Sequence, residues 1–185
     1  MPFKTPGKSS EYIRSVLPAE TDIDIRRVLT YAEQNTIPIL LPDTAAFLRQ
    51  TVILAKPHKI LEIGTAVGYS AHIMLKACPN AQVYTVEVNE KLADIAKEFF
   101  GRSGLLDRVT CFVGDAAEIV PLLSGLYDLI FLDGAKTRYI EYLPYLKRIL
   151  KPGGVLFADN VLFNGMVDGS GELKREKLSI VRKLD

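Results

Sequence analysis

Short apolar runs alternate with stretches of helical spacing along most of this sequence, and this alternation most narrows what the chain can fold into. The apolar runs predict strands at 59–63, 82–88, 109–113, 127–132 and 154–158. The stretches between them predict helices at about 69–77, 90–101, 116–123 and 139–150. Such repetition of strand, helix and strand is typical of an α/β fold in which helices cover both faces of a parallel sheet.

Three further helices are predicted before the first strand. Residues 9–56 have helical spacing, and Pro18, Pro38 and Pro42 separate the segments. We expect these helices to cap the sheet. The domain prediction is therefore one unit over 1–185, with a helical cap at 1–56 and a core at 57–185. The segment 171–185 predicts a basic amphipathic helix.

Composition excludes several classes of protein. The 185 residues are 48% hydrophobic and 24% charged, which is ordinary for one globular domain. No apolar run is long enough for a membrane span and no secretion signal begins the chain, so we expect a cytoplasmic protein. Cys78 and Cys111 form no CxxC pair, which disfavours structural zinc or a disulfide framework. The net charge is +1, but basic residues outnumber acidic ones from residue 136 onward, a weak indication of an anionic partner.

A glycine-containing turn follows the first predicted strand. Residues 61–70 run from a buried strand through Gly64 and Gly68 into a helix, where ligands of open α/β sheets bind. Gly64 would let a ligand approach the backbone, and the helix would offer free N–H groups to a carboxylate. The spacing is G-x-x-x-G with Ala66 between the glycines, which disfavours a dinucleotide and favours a smaller adenosine cofactor. A purely structural turn is the alternative.

Acidic residues end the next two strands. Glu87 lies 23 residues after Gly64, where a carboxylate can accept both ribose hydroxyls of a nucleoside. Asp115 and Ala116 follow the third strand and suggest the adenine-binding rim. Asp115 could equally be an N-cap, because aspartate is favoured there.

Asp133, Asp159 and Asn160 follow the fourth and fifth strands. If these strands are parallel neighbours, the three side chains meet at one edge of the sheet and offer only oxygen ligands. Such a set suits Mg²⁺, Mn²⁺ or Ca²⁺, although each residue could instead be a cap. Lys136 follows Asp133 closely and is a candidate base. His58 and His72 lack the spacing of metal ligands and are expected to be structural.

Together these stretches resemble the cation-dependent O-methyltransferases that use S-adenosylmethionine, a family that includes the catechol and caffeoyl-CoA methyltransferases. The resemblance runs from about Tyr31 to Asp185. It implies a Rossmann-like class I methyltransferase fold, a homodimer, metal ligation by Asp133, Asp159 and Asn160, and Lys136 as the base. With the glycine turn, it predicts cofactor contacts at Leu40, Glu62, Gly64, Gly68, Tyr69, Ser70, Glu87, Asp115, Ala116 and Asp133.

Residues 31–33, 37–39, 63–70 and 159–163 resemble one bacterial branch more closely, the tRNA 5-hydroxyuridine methyltransferases. This resemblance implies that the chain converts 5-hydroxyuridine in the tRNA anticodon to 5-methoxyuridine. A small-molecule catechol or phenol methyltransferase is the alternative, because both substrates present two neighbouring oxygens to a metal. A non-catalytic cofactor-binding module is a third possibility.

Members of this family usually continue into two antiparallel strands that close the edge of the sheet. Here the fifth strand is the last one predicted. We therefore expect a five-stranded parallel core that lacks the C-terminal antiparallel strands, in a chain that is either naturally short or truncated.

Overall fold

The computed structural model describes residues 8–161, which alternate between helices and strands as the sequence predicts. Three helices come first: α1 (Lys8–Val16), α2 (Ile23–Gln34) and α3 (Pro42–Ala55). The alternating core follows, with β1 (Lys59–Ile63), α4 (Tyr69–Ala77), β2 (Gln82–Glu87), α5 (Glu90–Arg102), β3 (Val109–Val113), α6 (Ala116–Ile119), β4 (Tyr127–Leu132), α7 (Tyr139–Ile149) and β5 (Leu150–Ala158). Short 3₁₀ turns occupy Leu106–Arg108, Val120–Leu122 and Lys136–Arg138.

The five strands form one sheet in the order β3-β2-β1-β4-β5, and every neighbouring pair is parallel. The predicted five-stranded parallel core and its helical cap are therefore confirmed. The strand order reverses between β1 and β4, where such sheets bind ligands beyond the carboxyl ends of the strands.

Alternate residues of the central strands supply two separate apolar cores. Ile60 and Phe131 point to one face, where they pack with residues of α2, α3, α4 and α5. Leu61 and Ile130 point to the other face, where they pack against α7 and the 3₁₀ turn after α6. Both faces of the sheet are thus buried, which explains why β1 and β4 are almost continuously apolar.

Charged side chains attach the N-terminal helices to the rest of the domain. Lys76 of α4 donates to Asp24 of α2 at 2.6 Å, and Arg49 of α3 pairs with Glu20. Asp22 caps α2 by accepting hydrogen bonds from the backbone N–H groups of Asp24 and Ile25.

The predicted helix at 116–123 is too long. The α-helix ends at Ile119 and continues as a 3₁₀ turn through Leu122. Pro121 has no N–H to donate to the carbonyl four residues earlier, so it interrupts the α-helical hydrogen bonds.

The fifth strand begins earlier than predicted, at Leu150 rather than Gly154. Leu150 pairs with Tyr127 and Val155 with Leu129, so extra residues bulge between these pairs. Gly153 lies in this bulge with φ +79°, a conformation that glycine adopts without strain.

No helix within residues 8–161 is long and apolar enough to cross a bilayer. The amphipathic helix predicted at 171–185 lies outside the described residues, as does any closing strand after residue 161.

Candidate active site

The candidate site lies at the carboxyl edge of the sheet, where the chain leaves β1, β4 and β5. Two backbone hydrogen bonds continue the pairing of neighbouring strands beyond the ends of the strands. The N–H of Asp133 donates to the carbonyl of Ile63 at 2.9 Å, and the N–H of Asp159 donates to the carbonyl of Leu132 at 3.0 Å. These bonds place the glycine turn and the two predicted metal-binding segments next to one another.

Gly64 is required by its neighbour across the sheet. Its φ is +106°, and a Cβ built on it would lie 2.6 Å from the carbonyl oxygen of Asp133. We expected Gly64 to make room for a ligand, but in this structure the Asp133 backbone occupies that space. Gly68, with φ +84°, is required similarly, because a Cβ there would lie 2.7 Å from the Phe100 ring of α5.

Glu62 is fully buried at the end of β1, and hydroxyl groups surround its carboxylate. Ser70 donates to Oε1 at 2.5 Å, and Thr85 donates to Oε2 at 2.6 Å. Burial raises the pKa of Glu62 to about 7, the two hydrogen bonds oppose that rise, and the charges of Asp133 and Glu87 add to it. Glu62 is therefore a carboxyl group that can gain or lose a proton near neutral pH.

Glu87 connects the end of β2 to the glycine turn. The N–H of Ala66 donates to its Oε2 at 2.7 Å, and the N–H of Asn89 donates to its Oε1 at 2.9 Å. Ala66 adopts φ +46°, so one residue of the turn has a left-handed backbone conformation although it is not a glycine. Each oxygen of Glu87 keeps a lone pair that could accept a ribose hydroxyl.

Asp133 and Lys136 form an ion pair just beyond β4. The Lys136 ammonium donates to Oδ1 of Asp133, and both side chains are about four-fifths buried, with exposed fractions of 17% and 22%. Burial raises the pKa of Asp133 and the nearby Asp159 carboxylate adds to the rise, whereas Lys136 opposes it. Asp159 is attached to the same edge of the sheet, because its N–H donates to the carbonyl of Leu132, the residue before Asp133.

Asn160 follows Asp159 with φ +55° and an exposed side chain. Within residues 8–161, no three His, Cys, Asp or Glu side chains come together as a metal site. The predicted set of Asp133, Asp159 and Asn160 contains only two carboxylates, because its third member is an amide. The two aspartates do lie at one edge of the sheet.

The signature of the O-methyltransferase family matches residues 19–185. The chain belongs to this family. Membership confirms the predicted enzyme class, an O-methyltransferase that uses S-adenosylmethionine.

Two curated relatives of this methyltransferase are catechol O-methyltransferases. The chain is 35% identical over 162 residues to the one from Niastella koreensis, covering 84% of this chain and 73% of that protein. It is 39% identical over 121 residues to the one from pig, covering 61% of this chain and 65% of that protein, which is less than two thirds of the pig enzyme. The crystal structure of a Bacillus cereus O-methyltransferase with SAH superposes with a TM-score of 0.80 at 28% identity, covering 95% of this chain and 81% of that one.

The remaining predicted cofactor residues of the methyltransferase lie around the same edge of the sheet. Leu40 is buried in the loop after α2 and lines a small cleft with Gly64, Tyr69, Ser70 and Asp133. Asp115 and Ala116 begin α6 at the end of β3. Asp115 accepts from the N–H of Ala117 at 2.8 Å and thus does cap the helix.

Four residues near the site were not predicted. Thr65 and Thr85 extend the hydrogen bonds behind Glu62. Arg138 donates to Asp115 at 2.7 Å. The Tyr139 hydroxyl donates to the carbonyl of Leu132 at 2.9 Å and lies 3.2 Å from the carbonyl oxygen of Asp159, and burial raises the pKa of the phenol. Only Thr85 left a signal in the sequence, as a polar residue within a buried strand.

Proposed function

We propose that this chain is an O-methyltransferase that requires both S-adenosylmethionine and a divalent cation and that acts on a substrate with two adjacent oxygen atoms. The observation that carries this proposal is the carboxyl edge of the sheet, where Asp133, Asp159 and the Lys136 ammonium lie beside the glycine turn. A methyl donor in that turn and an oxygen nucleophile near Lys136 would be neighbours.

The cofactor would lie across the ends of β1, β2, β3 and β4. Its methionine end suits the cleft at Ser70 and Asp133, and its ribose hydroxyls suit the Glu87 carboxylate. Its adenine would lie against the start of α6. The full proposed set is Leu40, Glu62, Gly64, Gly68, Tyr69, Ser70, Glu87, Asp115, Ala116 and Asp133.

Asp133, Asp159 and Asn160 would hold the cation, with Mg²⁺ as the first candidate and Mn²⁺ or Ca²⁺ as alternatives. The residues fit because two carboxylates and an amide at one edge of the sheet offer only oxygen ligands, which these cations prefer. A bound cation would supply Lewis acidity that favours the deprotonated form of a substrate oxygen. Because Lys136 already donates to Asp133, a cation ligated by this carboxylate would weaken that ion pair.

Lys136 is the proposed base. Its ion pair with Asp133 and its position over the Tyr139 ring, 5.6 Å from the ring centroid, hold the ammonium at the rim of the site. To act as the base, the Lys136 ammonium would first release a proton to the solvent, and the neutral amine would then accept the proton of a substrate hydroxyl. We expect Lys136→Met to abolish most turnover while binding of the cofactor persists.

A small catechol is one candidate substrate, supported by the similarity of the chain to catechol O-methyltransferases. The uracil ring of 5-hydroxyuridine in a tRNA anticodon is the other, because its C5 hydroxyl and C4 carbonyl offer the same pair of oxygens. The cytoplasmic location and the homodimer expected from the sequence remain predictions.

A groove between α2 and α5 favours the tRNA candidate. It has a volume of about 410 Å³, and its lining includes Arg26, Arg27 and Arg102 but no Asp or Glu. Tyr31 and Phe99 meet edge to face on its wall, with ring centroids 5.4 Å apart. Guanidinium groups bind phosphates, so this surface suits the backbone of an RNA, which would compete with Asp24 for Arg27 and with Glu98 for Arg102.

One assay separates the two candidates. Purified protein is incubated with S-adenosylmethionine and Mg²⁺, and with either free catechol or tRNA that contains 5-hydroxyuridine. Mass spectrometry then quantifies methylated catechol and 5-methoxyuridine. A 5-methoxyuridine product lost in the triple variant Arg26→Gln, Arg27→Gln, Arg102→Gln supports the tRNA substrate.

Robust methylation of catechol, unaffected by added tRNA or by the three substitutions, would instead establish the small-molecule reaction. The triple variant Lys56→Gln, Lys91→Gln, Lys147→Gln is the matched control, because all three lysines are exposed and lie outside the groove. If EDTA leaves turnover of either substrate unchanged, the cation-dependent mechanism is wrong.

A further inference from the structure

The first residue of α7, Tyr139, connects the ends of the two strands that lead into the proposed metal ligands. Its hydroxyl donates to the carbonyl of Leu132 at 2.9 Å and lies 3.2 Å from the carbonyl oxygen of Asp159. Leu132 directly precedes Asp133 in the chain. The hydroxyl therefore lies between the two backbone segments that carry the Asp133 and Asp159 side chains.

The Leu132 carbonyl is the atom where this contact and the strand pairing meet. It accepts from the N–H of Asp159 at 3.0 Å and from the Tyr139 hydroxyl at 2.9 Å. A carbonyl oxygen has two lone pairs, so it can accept both hydrogen bonds at once. The backbone bond fixes the end of β5 against the end of β4, and the hydroxyl fixes both ends against α7.

The position of the hydroxyl is itself fixed by the packing of the Tyr139 ring. The side chain is only 4% exposed, and it belongs to the apolar core on one face of the sheet together with Ile130, Leu132 and Leu146. Core side chains are close-packed, so the ring cannot swing without displacing its neighbours. The helix thus holds the hydroxyl at one place between the strand ends.

The cations that suit an all-oxygen site differ in how strongly they depend on such a fixed arrangement. Mg²⁺ requires nearly ideal octahedral geometry with oxygens at about 2.0–2.1 Å, whereas Ca²⁺ accepts flexible arrangements at about 2.3–2.6 Å. Mn²⁺ also takes octahedral oxygen ligands. Loosening the backbone between Asp133 and Asp159 should therefore weaken binding of Mg²⁺ more than binding of Ca²⁺.

We propose that Tyr139 is a positioning residue whose hydroxyl fixes the backbones of Asp133 and Asp159 relative to each other and thereby favours Mg²⁺ over Ca²⁺. This inference rests on the proposed cation site. Tyr139 does not ligate the cation and acts only through the backbone of its two aspartate ligands. Groups that orient metal ligands in this way typically contribute about 10–100-fold to metal affinity.

Tyr139→Phe removes the hydroxyl but keeps the ring, whose centroid lies 5.6 Å from the Lys136 ammonium. The electron paramagnetic resonance signal of free Mn²⁺ measures Mn²⁺ binding to protein saturated with S-adenosylhomocysteine. Displacement of Mn²⁺ by Mg²⁺ or Ca²⁺ then gives the affinity for each of these cations. We expect the variant to lose about tenfold or more in Mg²⁺ affinity and less than about threefold in Ca²⁺ affinity.

Tyr142→Phe is the matched control, because it makes the same chemical change one turn later in α7. Tyr142 is 3% exposed, and among the residues that the structure describes its hydroxyl bonds to neither strand end. This variant should keep the wild-type affinity for both cations. Urea unfolding checks that both variants are folded, and calorimetry should show that both bind S-adenosylhomocysteine as the wild type does.

Two results would overturn the inference alone. One is an equal loss of Mg²⁺ and Ca²⁺ affinity in Tyr139→Phe, which would indicate general damage to the site. The other is a Tyr139→Phe protein with the same cation affinities as Tyr142→Phe. A wild-type protein that binds no Mn²⁺ would refute the proposed cation site and, with it, the role of Tyr139.

Discussion

Substitution of Gly64 by alanine should be among the most damaging single-methyl changes in this chain, for two separable reasons. The backbone at φ +106° is unfavourable for any residue with a Cβ, at a cost of about 1–3 kcal/mol. The new methyl would also lie 2.6 Å from the Asp133 carbonyl oxygen, and that atom belongs to the backbone of β4's continuation. Such overpacking costs a further amount of about 1–3 kcal/mol.

Gly104 provides a matched control for the first of these effects. It also has a positive φ, +65°, but a Cβ built there would meet nothing within 4 Å. Gly104→Ala should therefore cost only about 1 kcal/mol of backbone strain. The gain from restricting the unfolded chain is the same in both variants and cancels in the comparison.

Urea unfolding of the two variants at 25 °C gives both free energies. We expect Gly64→Ala to lower the free energy of unfolding by about 4 kcal/mol and Gly104→Ala by about 1 kcal/mol, without a change in the slope of the transition. If the two variants differ by less than about 0.5 kcal/mol, the close approach of Asp133 to Gly64 does not constrain the turn and the argument for that glycine is refuted.

Three other substitutions test separate parts of the structure. Because folding raises the pKa of Glu62 from 4.5 to about 7, its stabilising contribution is full below pH 4.5 and is lost as the pH rises through 7, an effect of about 3 kcal/mol. Urea titrations from pH 4.5 to 8 should show Glu62→Gln without that decline. Arg108→Met should lower the free energy of unfolding by about 2 kcal/mol, because Arg108 donates to four carbonyls at and beyond the end of α4; an unchanged urea midpoint would contradict this. Asp159→Ala should abolish cation-dependent turnover while leaving calorimetric binding of S-adenosylhomocysteine within about threefold, and turnover that survives would remove Asp159 from the metal site.

Much of the fold could be predicted because it rests on local patterns. The β1 and β4 segments are apolar on both faces, which is typical of a parallel sheet covered by helices on both sides. Their predicted limits agree with the structure. The errors occur where local patterns are ambiguous. Pro121 sits inside a stretch of helical spacing, and the glycines before residue 155 look like a turn although they lie in a bulged strand.

The candidate site could be predicted where it lies at the ends of strands. Parallel strands bring their carboxyl ends to one edge of the sheet, so Asp133 and Asp159 could be placed together once their strands were taken as neighbours. The ion pair between Arg138 and Asp115 could not be predicted in this way, because it joins the starts of two helices that only the packed domain brings together.

Glu62 and Thr85 show the limit of what can be predicted from the sequence alone. The fold class, the glycine turn and the polar residues that follow each strand could be predicted from the sequence, because these features depend on residues close together in the chain. Only the tertiary structure decided that Thr85 stands directly across from Glu62 in the β1–β2 register. Register joins segments more than twenty residues apart, and it is set by the hydrogen bonds and packing of the whole sheet, which no local pattern encodes.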